Sequence, residues 1–526
     1  MILTKGLMGS AKNKANKLAI VDGNHRYTYG EFADRVSQLK KGIKELGVEK
    51  GDRVGILMLN SFRYLELFYA VTAIGAVVVP LNVRLSVPEL TFVLNDAGAK
   101  VLFLHREFLP ILTQLKEQVE SLQHYILAED KGIEGEGEGG TLAYEELLHD
   151  QTPEPLRPDN ITEEDIAGLF YTGGTTGRSK GVMLSHKNLV SNAYHASILL
   201  QYSEETSYLH AGPMFHLADG ASTFAVTLVG GTHVHIRMFH PKGVLEVLER
   251  DRPNSCLLVP TMLNMLVNYP EFDQFDTSSL TKILYGASPM PVEVLKTAAK
   301  KMPQLQFFQA YGMTEASPIL TILPAKYHVI GGSEKDERRL TSCGQSVIGV
   351  EVRCVDPEGR DVPPGEVGEI IARGPNIMKG YWNLPEETAA ALRDGWYYSG
   401  DLATVDEDNF YYIVDRKKDM IITGGENVYS VEVENVLYTH PGILEAAVIG
   451  VPDEKWGEVV KAVVVKKPGK DVSEEDILNL CKQYLANYKV PKSIQFVDEL
   501  PKSGAGKILK RHIRDQYWKG QKRKVN

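Results

Sequence analysis

Ile166-Ala167-Gly168-Leu169-Phe170-Tyr171-Thr172-Gly173-Gly174-Thr175-Thr176-Gly177-Arg178-Ser179-Lys180-Gly181 is a short apolar run that opens into a loop of glycines, threonines and one lysine. The run, Gly168–Tyr171 at its centre, reads as a strand. The loop brings backbone N–H groups, hydroxyls and an ammonium within reach of a polyphosphate, and glycine permits the close approach. It is not a Walker A loop, because neither Gly173 nor Gly174 reaches a Gly-Lys-Ser/Thr at the required offset. A plain surface turn is the alternative that composition alone allows.

Outward from this stretch the same texture repeats. Arg53–Leu59, Ala76–Val79, Lys100–Leu104, Cys256–Val259 and Lys282–Tyr285 are short, apolar and bounded by turn residues. Between them lie helical patterns at Tyr29–Leu46, Ser61–Ala73, Lys187–Leu200 and Pro241–Arg252. Strands alternating with helices predict a layered α/β architecture with largely parallel sheets. From about 342 to 414 short strands separated by Gly, Pro and Asp predict a smaller β-rich subdomain. A new α+β pattern follows, with helices at Glu432–Tyr438 and Ser473–Leu485 and strands at Ala446–Gly450 and Val459–Val465. The expected division is a large domain over 1–417 and a small mobile α+β domain over 418–526. Asp415–Asp419 is read as a charged, exposed boundary.

Composition narrows the class. The chain has 526 residues, 43% hydrophobic and 24% charged, with a net charge of −10. These values are those of an ordinary globular protein and argue against general nucleic-acid binding. Four cysteines without a Cys-x-x-Cys suit a reducing compartment and exclude a zinc ribbon. No signal peptide, membrane span or C-terminal address is read, so a cytoplasmic protein is expected. The basic residues from Lys502 to Lys524 read as a solvated tail, with weak peripheral contact to an anionic lipid surface left open. The oligomeric state is also open, a homodimer included. Gly135-Glu136-Gly137-Glu138-Gly139-Gly140 matches a dinucleotide fingerprint, but its glutamates would repel a pyrophosphate and no apolar helix follows, so it is read as an acidic loop.

Further motifs follow in order: Pro213-Met214-Phe215-His216, Gly286-Ala287-Ser288-Pro289, Tyr311-Gly312-Met313-Thr314-Glu315, Tyr398-Ser399-Gly400-Asp401-Leu402, Asp415-Arg416-Lys417-Lys418-Asp419, Gly424-Gly425-Glu426-Asn427 and Pro501-Lys502-Ser503-Gly504-Ala505-Gly506-Lys507. Taken as an ordered set covering nearly the whole chain, they resemble the adenylate-forming superfamily of acyl-CoA synthetases, luciferases and peptide-synthetase adenylation domains. Bacterial medium- to very-long-chain fatty acyl-CoA ligases are the most similar subfamily.

The resemblance implies an ATP- and Mg²⁺-dependent carboxylic acid:CoA ligase working through an acyl-adenylate. It implies that Thr172, Gly173, Gly174, Thr175, Thr176, Gly177 and Lys180 hold the β- and γ-phosphates. The loop departs from the commoner family form, which has Ser at 174 and Pro at 179. Glu315 is the implied Mg²⁺ ligand and Thr314 a donor to the α-phosphate. Gly286, Ala287, Gln309, Ala310, Tyr311 and Gly312 are expected around the adenine, Asp401 at the ribose, and Arg416 at ribose or phosphates. Lys507 is the implied catalytic lysine of adenylation and Lys418 the hinge. Rotation there would present Gly424, Gly425 and Glu426 to the pantetheine of coenzyme A. His216 is an acid-pocket gate or a structural histidine; His233 and His235 are read as structural. The substrate is expected to be a fatty acid. The alternatives are an aryl acid, an acyl-AMP ligase loading a separate carrier protein, or a silent binding protein.

Overall fold

The computed structural model describes residues 1–129, 140–149, 151–172, 179–288, 290–504 and 506–519. Gly173, Gly174, Thr175, Thr176 and Gly177, Pro289, most of the acidic loop (Gly135–Gly139) and the last basic residues lie outside them.

Among the described residues the strands form four sheets. One runs Gly380–Tyr381, Lys180–Ser185, Ile166–Thr172, Val77–Pro80, Arg53–Leu57, Ala99–Leu104, His124–Leu127, Leu142–Ala143. From Ile166–Thr172 to Leu142–Ala143 its pairings are parallel. The second runs Gln345–Ser346, Ile319–Leu323, Gln306–Gly312, Lys282–Gly286, Ser255–Leu257, Ser207–His210, Thr232–His235, Leu18–Asp22, His25–Thr28, parallel through its centre. Both faces of such strands are covered, and the expected apolar runs are buried almost without exposure, Val54, Ile56, Val101 and Ile283 among them. Helices fill the connections; Phe62–Ile74 is buried along its whole length.

The expected β-rich subdomain exists but is not self-contained. Glu351–Val355, Gly368–Arg373, Leu392–Arg393, Trp396–Val405 and Tyr411–Arg416 make a sheet of their own. Two strands of the same stretch leave it: Gln345–Ser346 joins the edge of the second sheet, and Gly380–Tyr381 joins the first, beside Lys180–Ser185. Open edges pair wherever a strand is offered, and two-residue strands carry no sequence signal of their destination.

Beyond residue 420 a fourth sheet, Glu426–Val428, Ile421–Thr423, Gly457–Lys466, Ile443–Asp453, with Ser493–Phe496 on Gly457–Lys466, carries helices Ser430–Tyr438 and Glu474–Tyr484. Two apolar clusters are built entirely from this stretch, one centred on Ile421, Val433, Val448 and Ile477, the other on Ile449, Val463, Leu500 and Ile513.

The reading of Asp415–Asp419 as an exposed stretch is corrected at its first residue. Asp415 is buried, accepting from the Ser430 amide at 2.6 Å and the Ser430 hydroxyl at 3.1 Å. Lys510 reaches the same hydroxyl at 2.7 Å and Glu434 at 2.7 Å. Burial raises the Asp415 and Glu434 carboxyls above their ordinary range, and Lys510 opposes the shift in each. A run of charges reads as solvated unless the partner is visible, and these partners lie 15 to 95 positions away. No helix of the described residues is long and apolar enough to cross a membrane.

Candidate active site

The strand Ile166–Thr172 hydrogen-bonds antiparallel to Lys180–Ser185, with Thr172 paired to Lys180. The two ends of the glycine-threonine loop are thereby clamped together at one wall of a cavity of about 1670 Å³. Thr172, Ser179 and Lys180 border it, as do His216, Gly286, Ala287, Gln309, Ala310, Tyr311, Gly312, Thr314, Glu315, Asp401, Arg416, Lys418 and Lys507. Residues scattered over more than 300 positions of sequence thus converge on one space.

Strand order explains part of this. Lys282–Gly286 and Gln306–Gly312 are parallel neighbours, with Gly286 opposite Ala310, so both reach the cavity at their C-terminal ends. The backbones are too close there for side chains. A Cβ on Gly286 would lie 2.2 Å from the Ala310 carbonyl oxygen, and one on Gly312 1.8 Å from that of Pro318. Ala287 sits at φ +66°, a left-handed conformation that non-glycine residues keep only where the surroundings impose it. Gln309 Oε1 is buried with no hydrogen-bond partner.

Tyr311 donates its hydroxyl to Asp401 Oδ2 at 2.8 Å, and Arg416 lies 3.5 Å from Asp401 Oδ1. Each Asp401 oxygen thus has one protein contact and keeps a further lone pair. Glu315 stands in the short turn Thr314–Ala316; burial raises its carboxyl above the ordinary range. Its Oε1 accepts from the Tyr381 hydroxyl at 2.8 Å. A half-buried carboxylate on the cavity wall with Lys180 fits a hard cation held by one or two carboxylates plus substrate phosphates.

Lys507 enters this space from the far end of the chain. Its loop is held against the large domain: Thr261 donates to the Gly506 carbonyl at 3.3 Å, and Arg84 to the Ser503 carbonyl at 3.2 Å. The Lys507 ammonium is pushed down to about 7, first by the Arg416 guanidinium and then by burial, while Asp401, Asp419 and Glu315 act the other way. His216 caps the helix Leu217–Val229, its Nδ1 accepting from the Ala218 amide at 3.1 Å. Burial and the Lys507 charge hold that imidazole down at about 4, so it is neutral. His216 is therefore both a cap and a cavity-wall residue.

Lys418 also borders the cavity; burial lowers its ammonium, followed by the charges of Lys180 and Arg511. Arg514 clamps this turn, reaching Asp419 at 2.7 Å and the Lys418 carbonyl at 3.3 Å. Gly424, Gly425 and Glu426 are not brought to the cavity. Gly424 and Gly425 form the turn between Ile421–Thr423 and Glu426–Val428, with Gly424 packed against Trp456, and Glu426 is exposed at the start of the second strand. His233 stacks in a buried chain away from the cavity: His210 bonds Asp219 at 2.6 Å and His233 at 2.9 Å, and His233 bonds Thr227 at 2.9 Å. Tyr381 and Tyr397 line the cavity and escaped the sequence reading, because a Gly-Tyr pair 66 positions from Glu315 has no spacing signal.

Thr172, Lys180, the paired strand ends at Gly286 and Ala310, Asp401 and Lys507 thus border one cavity. The chain belongs to the AMP-binding enzyme family, whose model matches residues 8–382, with the AMP-binding enzyme C-terminal domain over 432–507. A feruloyl-CoA synthase from an Amycolatopsis species is 40% identical over 96% of this chain and 97% of its own length. The medium/long-chain-fatty-acid–CoA ligase FadD8 of Mycobacterium tuberculosis is 36% identical over 99% of this chain and 90% of its own. The crystal structure of the anthranilate CoA ligase AuaEII with anthranoyl-AMP superposes with a TM-score of 0.89 at 28% identity, covering 98% and 97% of the two chains. In class the protein is an AMP-forming acyl-CoA ligase.

Proposed function

We propose that the acid activated here is a monocarboxylate with an extended apolar body, a fatty acid in the first place. The observation that carries this is the charge distribution around the cavity. Among the described lining residues between Phe215 and Ile319, the ionisable side chains are His216, Glu293, Glu315 and the tyrosines. No lysine or arginine is among these described lining residues to hold a second carboxylate, whereas Phe215, Leu217, Ala218, Leu257, Met290 and Ile319 offer apolar surface. A hydroxycinnamate-type acid is the second reading, favoured by the feruloyl-CoA synthase relatives at 40% identity.

The proposed division of labour follows the geometry. A carboxylate is a poor electrophile, so its oxygen attacks the α-phosphorus of ATP, the Pα–O–Pβ bond breaks and pyrophosphate leaves. Lys507 and Arg416 place positive charge where negative charge accumulates, and Thr314 supplies a hydroxyl donor. Thr172, Lys180 and the intervening loop hold the β- and γ-phosphates, Asp401 the ribose, and the unpartnered Gln309 acceptor suits an adenine amino group. A Mg²⁺ ion at Glu315 would neutralise phosphate oxygens. In the second step the coenzyme A sulfur attacks the acyl carbon, the bond to AMP breaks and the thiol proton passes to solvent. We assign 418–526 to a domain that rotates about Lys418 between the steps, exchanging Lys507 for Gly424, Gly425 and Glu426. A cytoplasmic location belongs to the same proposal.

The test is pyrophosphate release across saturated fatty acids, ferulate, benzoate and a dicarboxylic acid, with and without coenzyme A. Fatty acids are expected to lead and the dicarboxylic acid to fail. Preference for the dicarboxylic acid would overturn the reading; preference for ferulate would select the second one.

A further inference from the structure

Among the described residues, Tyr381 touches both Glu315 and Lys180, two residues of the proposed triphosphate site. Its hydroxyl donates to Glu315 Oε1 at 2.8 Å. Its ring lies under the Lys180 ammonium, which stands 5.0 Å from the ring centroid. Lys180 closes the glycine-threonine loop, and the turn carrying Glu315 packs against the same strand, so a single side chain bridges the two.

The backbone around Tyr381 is anchored to the same elements. Gly380 and Tyr381 pair with Met183 and Val182, and the Trp382 amide donates to the Gly181 carbonyl at 2.7 Å. Lys180–Ser185 therefore cannot move without carrying Tyr381. The Met378 amide donates to the Glu315 carbonyl at 2.8 Å, tying the other side of the same segment to the metal-ligand turn. The Tyr381 amide itself donates to Thr388 at 2.8 Å, and buried Tyr397 borders the same cavity. These contacts fix both the ring plane and the direction of the hydroxyl.

We infer that Tyr381 is a positioning residue for ATP activation, setting the Glu315 carboxylate and the Lys180 ammonium in one fixed relation. The inference rests on the reading of Glu315 as the metal carboxylate. With Oε1 occupied by the phenol, the carboxylate is held in one orientation, and Oε2 is the oxygen that would hold a cation. Partners that orient a metal ligand in this way change metal affinity by about 10- to 100-fold when removed. The ring face supplies a separate, weaker attraction for Lys180.

Two variants separate the two contacts. Tyr381→Phe keeps the ring under Lys180 and deletes the bond to Glu315; Tyr381→Leu deletes both. Binding of Mn²⁺ in the presence of a non-hydrolysable ATP analogue is measured by calorimetry on the full-length protein, beside Glu315→Gln. Tyr381→Phe is expected to weaken Mn²⁺ binding by about ten-fold or more. Its adenylation should recover when Mg²⁺ is raised, and its KM for the acid should not move. Tyr381→Leu is expected to raise the KM for ATP in addition. A merely structural tyrosine would instead lower the thermal midpoint and leave Mn²⁺ affinity of the folded fraction unchanged, which overturns the inference. If Glu315→Gln weakens Mn²⁺ and Tyr381→Phe does not, Tyr381 alone is refuted. If Glu315→Gln also binds Mn²⁺ like the native protein, the metal reading falls and the inference with it.

Discussion

Lys507 makes a prediction that can be worked from its surroundings. Its ammonium is held near 7 by the Arg416 charge and by burial, against Asp401, Asp419 and Glu315. If adenylation needs the charged form, the competent fraction of free enzyme is about one half at pH 7, one tenth at pH 8 and one hundredth at pH 9. The rate constant kcat/KM for ATP in the adenylation half-reaction should therefore fall about ten-fold per pH unit on the alkaline side, from a midpoint near 7. In the ATP complex the phosphates oppose the Arg416 charge, so the corresponding limb in kcat should move to higher pH. His216, neutral above about 4, does not contribute a limb in this range. Lys507→Arg keeps the charge at all these pH values and should abolish the limb. Lys507→Ala should remove it as well and slow adenylation by about 10²- to 10³-fold at pH 7, the usual consequence of losing one preorganised electrostatic contact. The assay is pyrophosphate exchange from pH 6 to about 9.5, beside acyl transfer to coenzyme A from preformed acyl-adenylate. The second half-reaction should survive in Lys507→Ala. An unchanged alkaline limb in that variant, or equal loss in both half-reactions, would refute the reasoning.

Glu315→Gln keeps the shape and an acceptor for the Tyr381 hydroxyl but loses the charge that a hard cation prefers; adenylation at low Mg²⁺ should fall at least about ten-fold and recover partly as Mg²⁺ is raised. Native activity at low Mg²⁺ would remove Glu315 from the metal site. Lys418→Pro fixes φ near −65° and restricts Lys417, so one half-reaction, adenylation, should be kept and acyl transfer lost, while ATP binding stays close to native. Parallel loss of both rates, or of neither, argues against rotation about Lys418. Lys510→Met leaves Asp415 and Glu434 buried without their cation and should cost about 3–5 kcal/mol in denaturant unfolding. Both carboxyls already titrate above their unfolded values, so each is stabilising when protonated and loses that contribution as pH rises through its folded value; the penalty should be larger at pH 8 than at pH 5. A penalty independent of pH would mean that Lys510 acts through packing.

The residue order alone determined the alternation of strands and helices and the order of the motifs. The strand expected at Lys282–Tyr285 is Lys282–Gly286, and the helix expected at Pro241–Arg252 is Pro241–Asp251. Local hydrophobic period and turn residues decide such elements, and both are written in adjacent positions. The ordered motifs likewise named residues that border the cavity, Thr172, Lys180, Gly286, Tyr311, Glu315, Asp401, Arg416 and Lys507. What only the tertiary structure decided depends on contacts between distant positions. The Tyr381 hydroxyl on Glu315, the burial of Asp415 beneath Ser430, and the shifts of Lys507 and His216 arise from neighbours with no periodic relation to them. The same holds for the two short strands of the β-rich stretch, whose partners in the large sheets are chosen by which edges stand open in space. Pairing, burial and electrostatic shift are properties of distance, and distance is what a linear sequence does not contain.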